Sequence, residues 1–277
     1  MKINKNILIV STVRNCSKYI TKNINILMNA TDNFRTVKWL IIESDSTDNT
    51  SDILKNLQTN TINFNFLSLG HLSKRIPLRT ERIAHCRNKY LKEIKNNKSY
   101  KNIDYIFVVD LDQENNLLDK KAILSCFKNK YWDVCTANQS GPYYDIWPLR
   151  HSLWSPNDCY KEYHFYLKLG FSKKKAHNLS VYSKMITISK SSKWIRVQSA
   201  FGGIAIYKKN IILKGRYSGK DKDGNEISEH VSLNTTINNL GYKIFINPEL
   251  INFSYNNHSY QKSFFRKLKI KLKNLLI

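Results

Sequence analysis

The chain has 277 residues, 42% of them hydrophobic, and carries 45 Lys and Arg against 21 Asp and Glu, a formal net charge of +24. Such a length supports one substantial core, no run approaches the roughly 18 to 20 apolar residues that span a bilayer, and five scattered cysteines with no Cys-x-x-Cys pair argue against a zinc or dithiol centre. The cationic surplus asks for an anionic partner, but lysine beside abundant Asn and Ile also follows from coding bias, so clustering weighs more than the total.

Residues 6–13 (Asn-Ile-Leu-Ile-Val-Ser-Thr-Val) read as a short apolar strand. The apolar run at 7–10 is too short for a signal-peptide core, so the chain is expected in the cytoplasm. A helical pattern follows through Tyr19, Ile20, Ile24 and Leu27. Residues 37–42 repeat the strand pattern and end in Glu43-Ser44-Asp45-Ser46-Thr47-Asp48-Asn49-Thr50, where Asp48 or Thr50 can cap the next helix. A third strand is expected at 64–69, and a helix at 80–94 with Ile83, Ala84, Tyr90, Leu91 and Ile94 turned inward.

The most apolar run, Ile106-Phe107-Val108-Val109, closes in Asp110-Leu111-Asp112. It reads as a strand buried on both faces, and alternation sets Asp110 and Asp112 side by side on one of them. Paired carboxylates repel. At the carboxyl edge of an open α/β sheet, an oxygen-rich pair suits Mg²⁺ or Mn²⁺ carrying a phosphate; solvated strand ends and helix caps also show this short pattern.

Alternating strands and helices over the first ~115 residues predict a doubly wound, mostly parallel sheet. The second half is less regular: a strand at 132–137, an aromatic loop at 141–154, a strand at 199–207 around Gly202-Gly203, a mobile loop at 208–227, a helix at 228–240 stopped by Gly241, and a strand at 243–247 ended by Pro248. From Phe264 onward, Phe264, Phe265, Leu268, Leu272, Leu275 and Leu276 share one helical face, with Arg266, Lys267, Lys269, Lys271 and Lys273 mostly off it. Such a basic amphipathic helix either lies in an anionic membrane interface or packs on the domain. The expected division is 1–258 for the main domain and 259–277 for the tail.

Four features in order carry a resemblance: the Ile-rich first strand, the polar run from Glu43 to Thr50, Arg82-Ile83-Ala84-His85-Cys86-Arg87-Asn88, and Val109-Asp110-Leu111-Asp112. This order resembles the GT-A glycosyltransferases. Tyr143-Tyr144-Asp145-Ile146-Trp147-Pro148-Leu149-Arg150, Phe201-Gly202-Gly203, Glu229-His230-Val231 and Gly241-Tyr242-Lys243-Ile244-Phe245-Ile246-Asn247-Pro248 look like segments of enzymes similar to fungal capsule and cell-wall mannosyltransferases. The resemblance, over residues 6–248, implies a GT-A type, Rossmann-like sheet flanked by helices in a single catalytic domain. It further implies a metal-dependent enzyme that moves a sugar, a hexose by preference, from a nucleotide-diphosphate sugar to a hydroxyl of a glycan or glycolipid.

By the same resemblance, Thr12 and Arg14, with Glu43 or Asp45, contact base and ribose, and Arg82 and Arg87 approach the diphosphate. Guanidinium chemistry agrees, since it binds phosphate oxygens bidentately, while ion pairing with surface acids is the plainer use of an arginine. Asp112 is the expected direct ligand of Mn²⁺ or Mg²⁺, Asp110 binds the ribose or the metal through water, and His230 is a candidate further ligand. If the reaction inverts, Glu229 is the expected base; if it retains, Glu229 positions acceptor or sugar. The expected partners are therefore a nucleotide-sugar donor, a glycan or glycolipid acceptor and, through the tail, an anionic membrane surface.

Two other classes compete. A nucleic-acid-binding module would show clustered cations with exposed aromatics, or a helix-turn-helix or zinc pattern, and none is visible, so no nucleic-acid partner is expected. A nucleotidyltransferase would show a glycine- and lysine-rich loop after the first strand, whereas Ser11-Thr12-Val13-Arg14-Asn15 has no glycine.

Overall fold

In the computed structural model, which describes residues 2–112, 115–255 and 259, strand and helix alternate through the first half. The elements are β1 (Ile3–Val13), α1 (Ile20–Thr31), β2 (Phe34–Glu43), α2 (Thr50–Asn60), β3 (Phe64–Ser68), α3 (Arg79–Asn96) and β4 (Tyr105–Val109). There follow α4 (Lys120–Lys128), β5 (Val134–Asn138), α5 (Cys159–Lys168), α6 (Lys173–Ser180), β6 (Ile195–Val197), β7 (Ile204–Lys208), α7 (Lys209–Ile212), α8 (Glu229–Asn239) and β8 (Ile244–Ile251).

All eight strands join one sheet in the order β3-β2-β1-β4-β7-β5-β8-β6. β1 to β4 pair in parallel, β7 runs antiparallel to β4 and β5, β5 and β8 are parallel, and β6 is antiparallel at the far edge. The central strands need cover on both sides because their side chains alternate. Leu8, Val10, Ile106 and Val108 pack with Ala84 and Tyr90 of α3 and Leu233 of α8. Ile7, Ile9, Phe107 and Val109 pack on the opposite face with Ile24 of α1 and Ile123 of α4. Each fully buried Ile or Val contributes about 1.5–3 kcal/mol, so the two layers fix the register that carries the site.

The second half departs from expectation in three places. Residues 199–207 are not one strand: Gly202 and Gly203 take φ of 72° and 84°, and β7 starts after them. A Cβ on Gly202 would stand 2.7 Å from the Ala137 carbonyl oxygen, so the missing side chain lets this turn press against β5. Pro248 does not end the last strand. β8 continues to Ile251, and its pairing with β5 slips between Thr136↔Ile246 and Asn138↔Ile251; proline, without an N–H, sits in that irregular stretch, where Asn138 Nδ2 donates to its carbonyl at 3.2 Å.

Residues 208–227, expected as a mobile loop, open with α7 and dock on α3. Tyr217 is buried, its N–H donates to Asn88 Oδ1 at 3.0 Å, and its hydroxyl lies 2.8 Å from that of Tyr90. Helices α4, α5 and α6 had no counterpart in the expected elements. Among the described residues no helix is long and apolar enough to cross a membrane, and all five cysteines are buried and free. The basic tail expected at 259–277 lies, Ser259 apart, outside the described residues.

Candidate active site

Parallel pairing assembles the site. Because Val10 stands beside both Leu40 and Val108, and Val13 beside Glu43, the loops leaving β1, β2 and β4 meet at one edge of the sheet. A cleft of about 300 Å³ opens there. Thr12, Arg14, Asp45 and Arg82 line one part of it, and Arg87, Asp110, Asp112, Glu229 and His230 the rest. Glu43 stands behind this wall: it is 2% exposed, its Oε1 accepts from the Ser46 N–H at 3.0 Å and its Oε2 from the Ser68 hydroxyl at 2.5 Å. It braces the turn.

The polar run after β2 satisfies its own backbone. Asn15 Oδ1 accepts from Thr47 N–H at 2.7 Å, Thr50 Oγ1 from Cys16 N–H at 2.9 Å, and Asp48 from the N–H groups of Ser17 and Thr50 at 3.1 and 3.0 Å. Burial would raise the Asp48 carboxyl, but these bonds outweigh it and hold it at about 2. The two loops are thereby tied together, and Arg14 Nε adds a bond to the Asp45 carbonyl at 3.2 Å.

Asp45 adopts φ of 58°, a left-handed conformation that aspartate tolerates better than most residues. Its Oδ1 accepts from the Ser73 N–H at 2.9 Å, while Oδ2 is buried without a hydrogen-bond partner. Burial works to raise this carboxyl, and the Ser73 bonds with Arg82 and Arg14 nearby outweigh it, keeping it below the usual range and ionised. A buried acceptor left open costs about 1–3 kcal/mol, which a ligand's N–H or O–H would relieve.

On α3, Arg82 Nη1 donates to the carbonyls of Ile76 and Pro77 at 2.8 and 2.6 Å, which fixes its guanidinium at the rim. Arg87, five residues on and expected at the diphosphate, has other partners. It is 3% exposed, with Nε donating to Glu229 Oε1 at 2.9 Å and Nη2 to Asp110 Oδ1 at 3.4 Å. The rings of Phe201 and Tyr217 lie 5.4 and 5.6 Å from its guanidinium carbon. Arg87 thus positions two carboxylates rather than presenting a free fork to solvent.

Asp110 is held at the end of β4 by its N–H on the Gly203 carbonyl at 2.9 Å, and its side chain is 28% exposed. Burial and the charge of Asp112 push its carboxyl well above the usual range, against the pull of Arg87. One arginine does not neutralise the pair. Among the described residues no three His, Cys, Asp or Glu side chains converge to hold a metal ion. The two carboxylates that line the cleft here are hard oxygen donors, the donor type that Mg²⁺ and Mn²⁺ take.

His230, the candidate third ligand, is stacked on Phe201 with ring centroids 3.8 Å apart and planes at 20°. Burial and the neighbouring Arg87 charge push it well below its ordinary range, so it is neutral. Neither ring nitrogen makes a hydrogen bond, and Nε2 lies 3.5 Å from Glu229 Oε1. Glu229 itself sits in the first turn of α8, 8% exposed at its side chain.

One acid on this wall was missed by the sequence reading. Asp145 lines the cleft, Oδ2 accepting from the Gly202 N–H at 2.8 Å, and burial pushes its carboxyl up to about 7. It stood in the sequence as a lone carboxylate inside an aromatic loop, where no periodicity tells which way a side chain points, and the resemblance over 143–150 gave it no role. Trp147 and Phe201 join the same wall.

No protein-family model and no curated protein matches the chain. Its fold is similar to that of Staphylococcus aureus TarS, residues 1–349, at a TM-score of 0.50 and 15% identity, over 90% of this chain and 60% of that one. It is similar also to the mannosyltransferase PcManGT of Pyrobaculum calidifontis, solved with GDP-Man and Mn²⁺, at a TM-score of 0.53 and 11% identity, over 99% of this chain and 62% of that one. The chain thus spans about three fifths of the length of either. At such identities the likeness concerns the fold: a mostly parallel sheet flanked by helices, of GT-A type.

Proposed function

We propose that the protein is a metal-dependent glycosyltransferase that moves a sugar, a hexose by preference, from a nucleotide-diphosphate sugar to a hydroxyl of a glycan or glycolipid. The observation that carries this reading is the meeting of Asp110 and Asp112 with Arg14, Asp45 and Arg82 in one cleft at the carboxyl ends of β1, β2 and β4. The binding of GDP-Man and Mn²⁺ by a protein of similar fold supports the donor class and the metal. Within this class the motif order favours a likeness to fungal capsule and cell-wall mannosyltransferases.

The roles follow from chemistry. Asp45 Oδ2, lacking a protein donor, accepts from a base N–H or a ribose hydroxyl, and Thr12 and Arg14 border the same space. Arg82 takes diphosphate oxygens, which suit a planar guanidinium. Asp110 and Asp112 hold Mn²⁺ or Mg²⁺, which when bound offsets the charge that develops on the departing diphosphate. Glu229, fixed by Arg87, either accepts the proton of the acceptor hydroxyl or positions that acceptor. The tail at 259–277 brings the enzyme to an anionic membrane surface, where a glycolipid acceptor would lie.

A panel of nucleotide sugars with Mn²⁺ or Mg²⁺, scored for nucleoside-diphosphate release, tests the reading. Chelator should stop release, and Asp110→Asn or Asp112→Asn should each lower it by about 100-fold or more, the scale on which electrostatic stabilisers of a transition state act. If both variants release product at the wild-type rate, the assignment of the pair is wrong.

A further inference from the structure

A second depression adjoins the cleft and shares Arg79 and Trp147 with it. Its volume is about 820 Å³, within the roughly 300–1,000 Å³ that ligand pockets occupy. One wall is α5, an aromatic-rich helix of which only Cys159 is buried. Tyr160, Lys161, His164, Phe165 and Lys168 all line the groove, and their spacing of i, i+1, i+4, i+5 and i+8 makes them one stripe of the helix. It carries three rings and two lysines. Tyr160 is 39% exposed and Phe165 56%, large apolar areas to leave in water.

The charges on this wall do not cancel. Asp158 is engaged by Arg150 and by the N–H groups of Tyr160 and Lys161 at the start of α5. Glu226 accepts from the Thr80 hydroxyl at 3.0 Å, and Lys161 is paired with Asp221 at 2.7 Å. Arg79 and Lys168 form no ion pair among the described residues, so two cations, one at the cleft end and one on α5, stand against the Glu226 carboxylate, whose bond to a neutral hydroxyl leaves its charge in place. Trp147 and Tyr160 meet edge to face, centroids 5.0 Å apart at 75°. They offer single ring faces and edges to the apolar C–H faces of sugars, not the parallel ladder that successive nucleic-acid bases stack on.

We propose that this groove seats the acceptor, and that the acceptor is an acidic glycan whose sugars bear phosphate or carboxylate groups. The proposal rests on the glycosyltransferase reading of the adjoining cleft. Trp147 and Arg79 stand where donor and acceptor meet, Tyr160 and Phe165 hold sugar faces, and Lys168 binds an acidic substituent away from the reacting hydroxyl.

The test applies the whole chain to neutral, phosphorylated and uronate-bearing oligosaccharides at low and high salt, with wild type, Lys168→Glu and Phe165→Ala. Both substituted side chains are exposed, so the variants should fold. Acidic glycans should bind about tenfold more tightly than neutral ones, Lys168→Glu should erase that preference, and Phe165→Ala should weaken acidic and neutral glycans alike by about tenfold. High salt should weaken the acidic class alone, and the phosphate and uronate arms tell which acid is read. Equal binding of acidic and neutral glycans, an unaffected Lys168→Glu variant, or preferred capture of single-stranded RNA overturns the proposal. Release of nucleoside diphosphate in the presence of the acidic glycan is measured on wild type alongside: its absence across the donor panel, with acidic-glycan binding intact, would overturn the reading of the cleft and leave the groove an acidic-glycan site with no acceptor role.

Discussion

Arg87 is a permanent charge in a place that excludes water, and its surroundings account for that. A guanidinium offers five donors and does not deprotonate, so burial is tolerable only when anions and hydrogen bonds replace its hydration. Here Glu229, Asp110 and the Tyr90 hydroxyl do so, at 2.9, 3.4 and 3.5 Å. The dependence is mutual, because without Arg87 the two carboxylates would face each other and Asp112 with no cation. Arg87→Met should therefore lower stability by about 3–5 kcal/mol near neutral pH, read from urea denaturation. The deficit should shrink on going from about pH 8 to about pH 5, because the Asp110 carboxyl, already pushed well above the usual range, moves higher still without the Arg87 charge, and its protonation removes the repulsion. A deficit that stays constant across that range would show that packing, not charge, is what Arg87 supplies. At this scale the sequence told a good deal: an Arg five positions after Arg82 on a helix is visible, as is Asp-Leu-Asp after an apolar run. That Arg87 turns inward to two acids was not visible, because its second partner, Glu229, lies 142 positions away. Asp145 was hidden for the same reason, since its environment is made by Gly202, Glu229 and Arg87 and none of these is near it in the chain.

At the scale of elements, legibility follows burial. The stretches at 7–10, 39–42 and 106–109 in β1, β2 and β4 are covered on both faces and so appear as unbroken apolar runs, and α1 and α3 bury enough Ile, Leu and Ala to show a 3.6-residue period, whereas α2 buries only Thr50 and Leu54. α5 and α6 lack that signature: α5 buries only Cys159, α6 only Ala176 and Ser180. Their signals are local caps instead, Asp158 accepting from the N–H groups of Tyr160 and Lys161, and Ser172 from that of Lys175. The segment 208–227 was misread because its glycines suggest freedom, whereas Gly219 serves close packing. A Cβ on Gly219 would lie 2.3 Å from the Glu81 nitrogen and 2.3 Å from the Thr80 carbonyl carbon. Both are backbone atoms and cannot rotate away. Gly219→Ala should push this segment off the first turn of α3 and cost about 1–3 kcal/mol, as overpacking does, visible as a lower urea midpoint. Since α3 also carries Arg82 and Arg87, nucleoside-diphosphate release should fall in the same variant. A midpoint matching wild type would show that the contact yields.

For the whole molecule, the formal charge of +24 is a property the fold itself does little to offset. Several ion pairs among the described residues join exposed partners, such as Lys55 with Asp52 or Lys128 with Glu249, and exposed pairs contribute about 0–1 kcal/mol each. The remaining cations repel one another across the surface, a penalty on the compact state that grows as screening weakens. Raising NaCl from about 10 mM to about 150 mM shortens the screening length from about 30 Å to about 8 Å. A relief of about 1 kcal/mol raises the melting temperature of a chain near this size by about 2–4 °C. The expected result is a midpoint that climbs over this range and then levels off, with a smaller climb in variants that replace unpaired surface lysines by glutamine. The same measurement separates self-repulsion from site binding: a polyanionic nucleotide with Mn²⁺ should raise the midpoint further at fixed ionic strength, by mass action on the folded state, and that increment should vanish in Asp112→Asn while the salt effect persists. A midpoint flat or falling with NaCl would mean that the cations are spaced widely enough to be harmless, and that the surplus charge has no bearing on how firmly this chain folds.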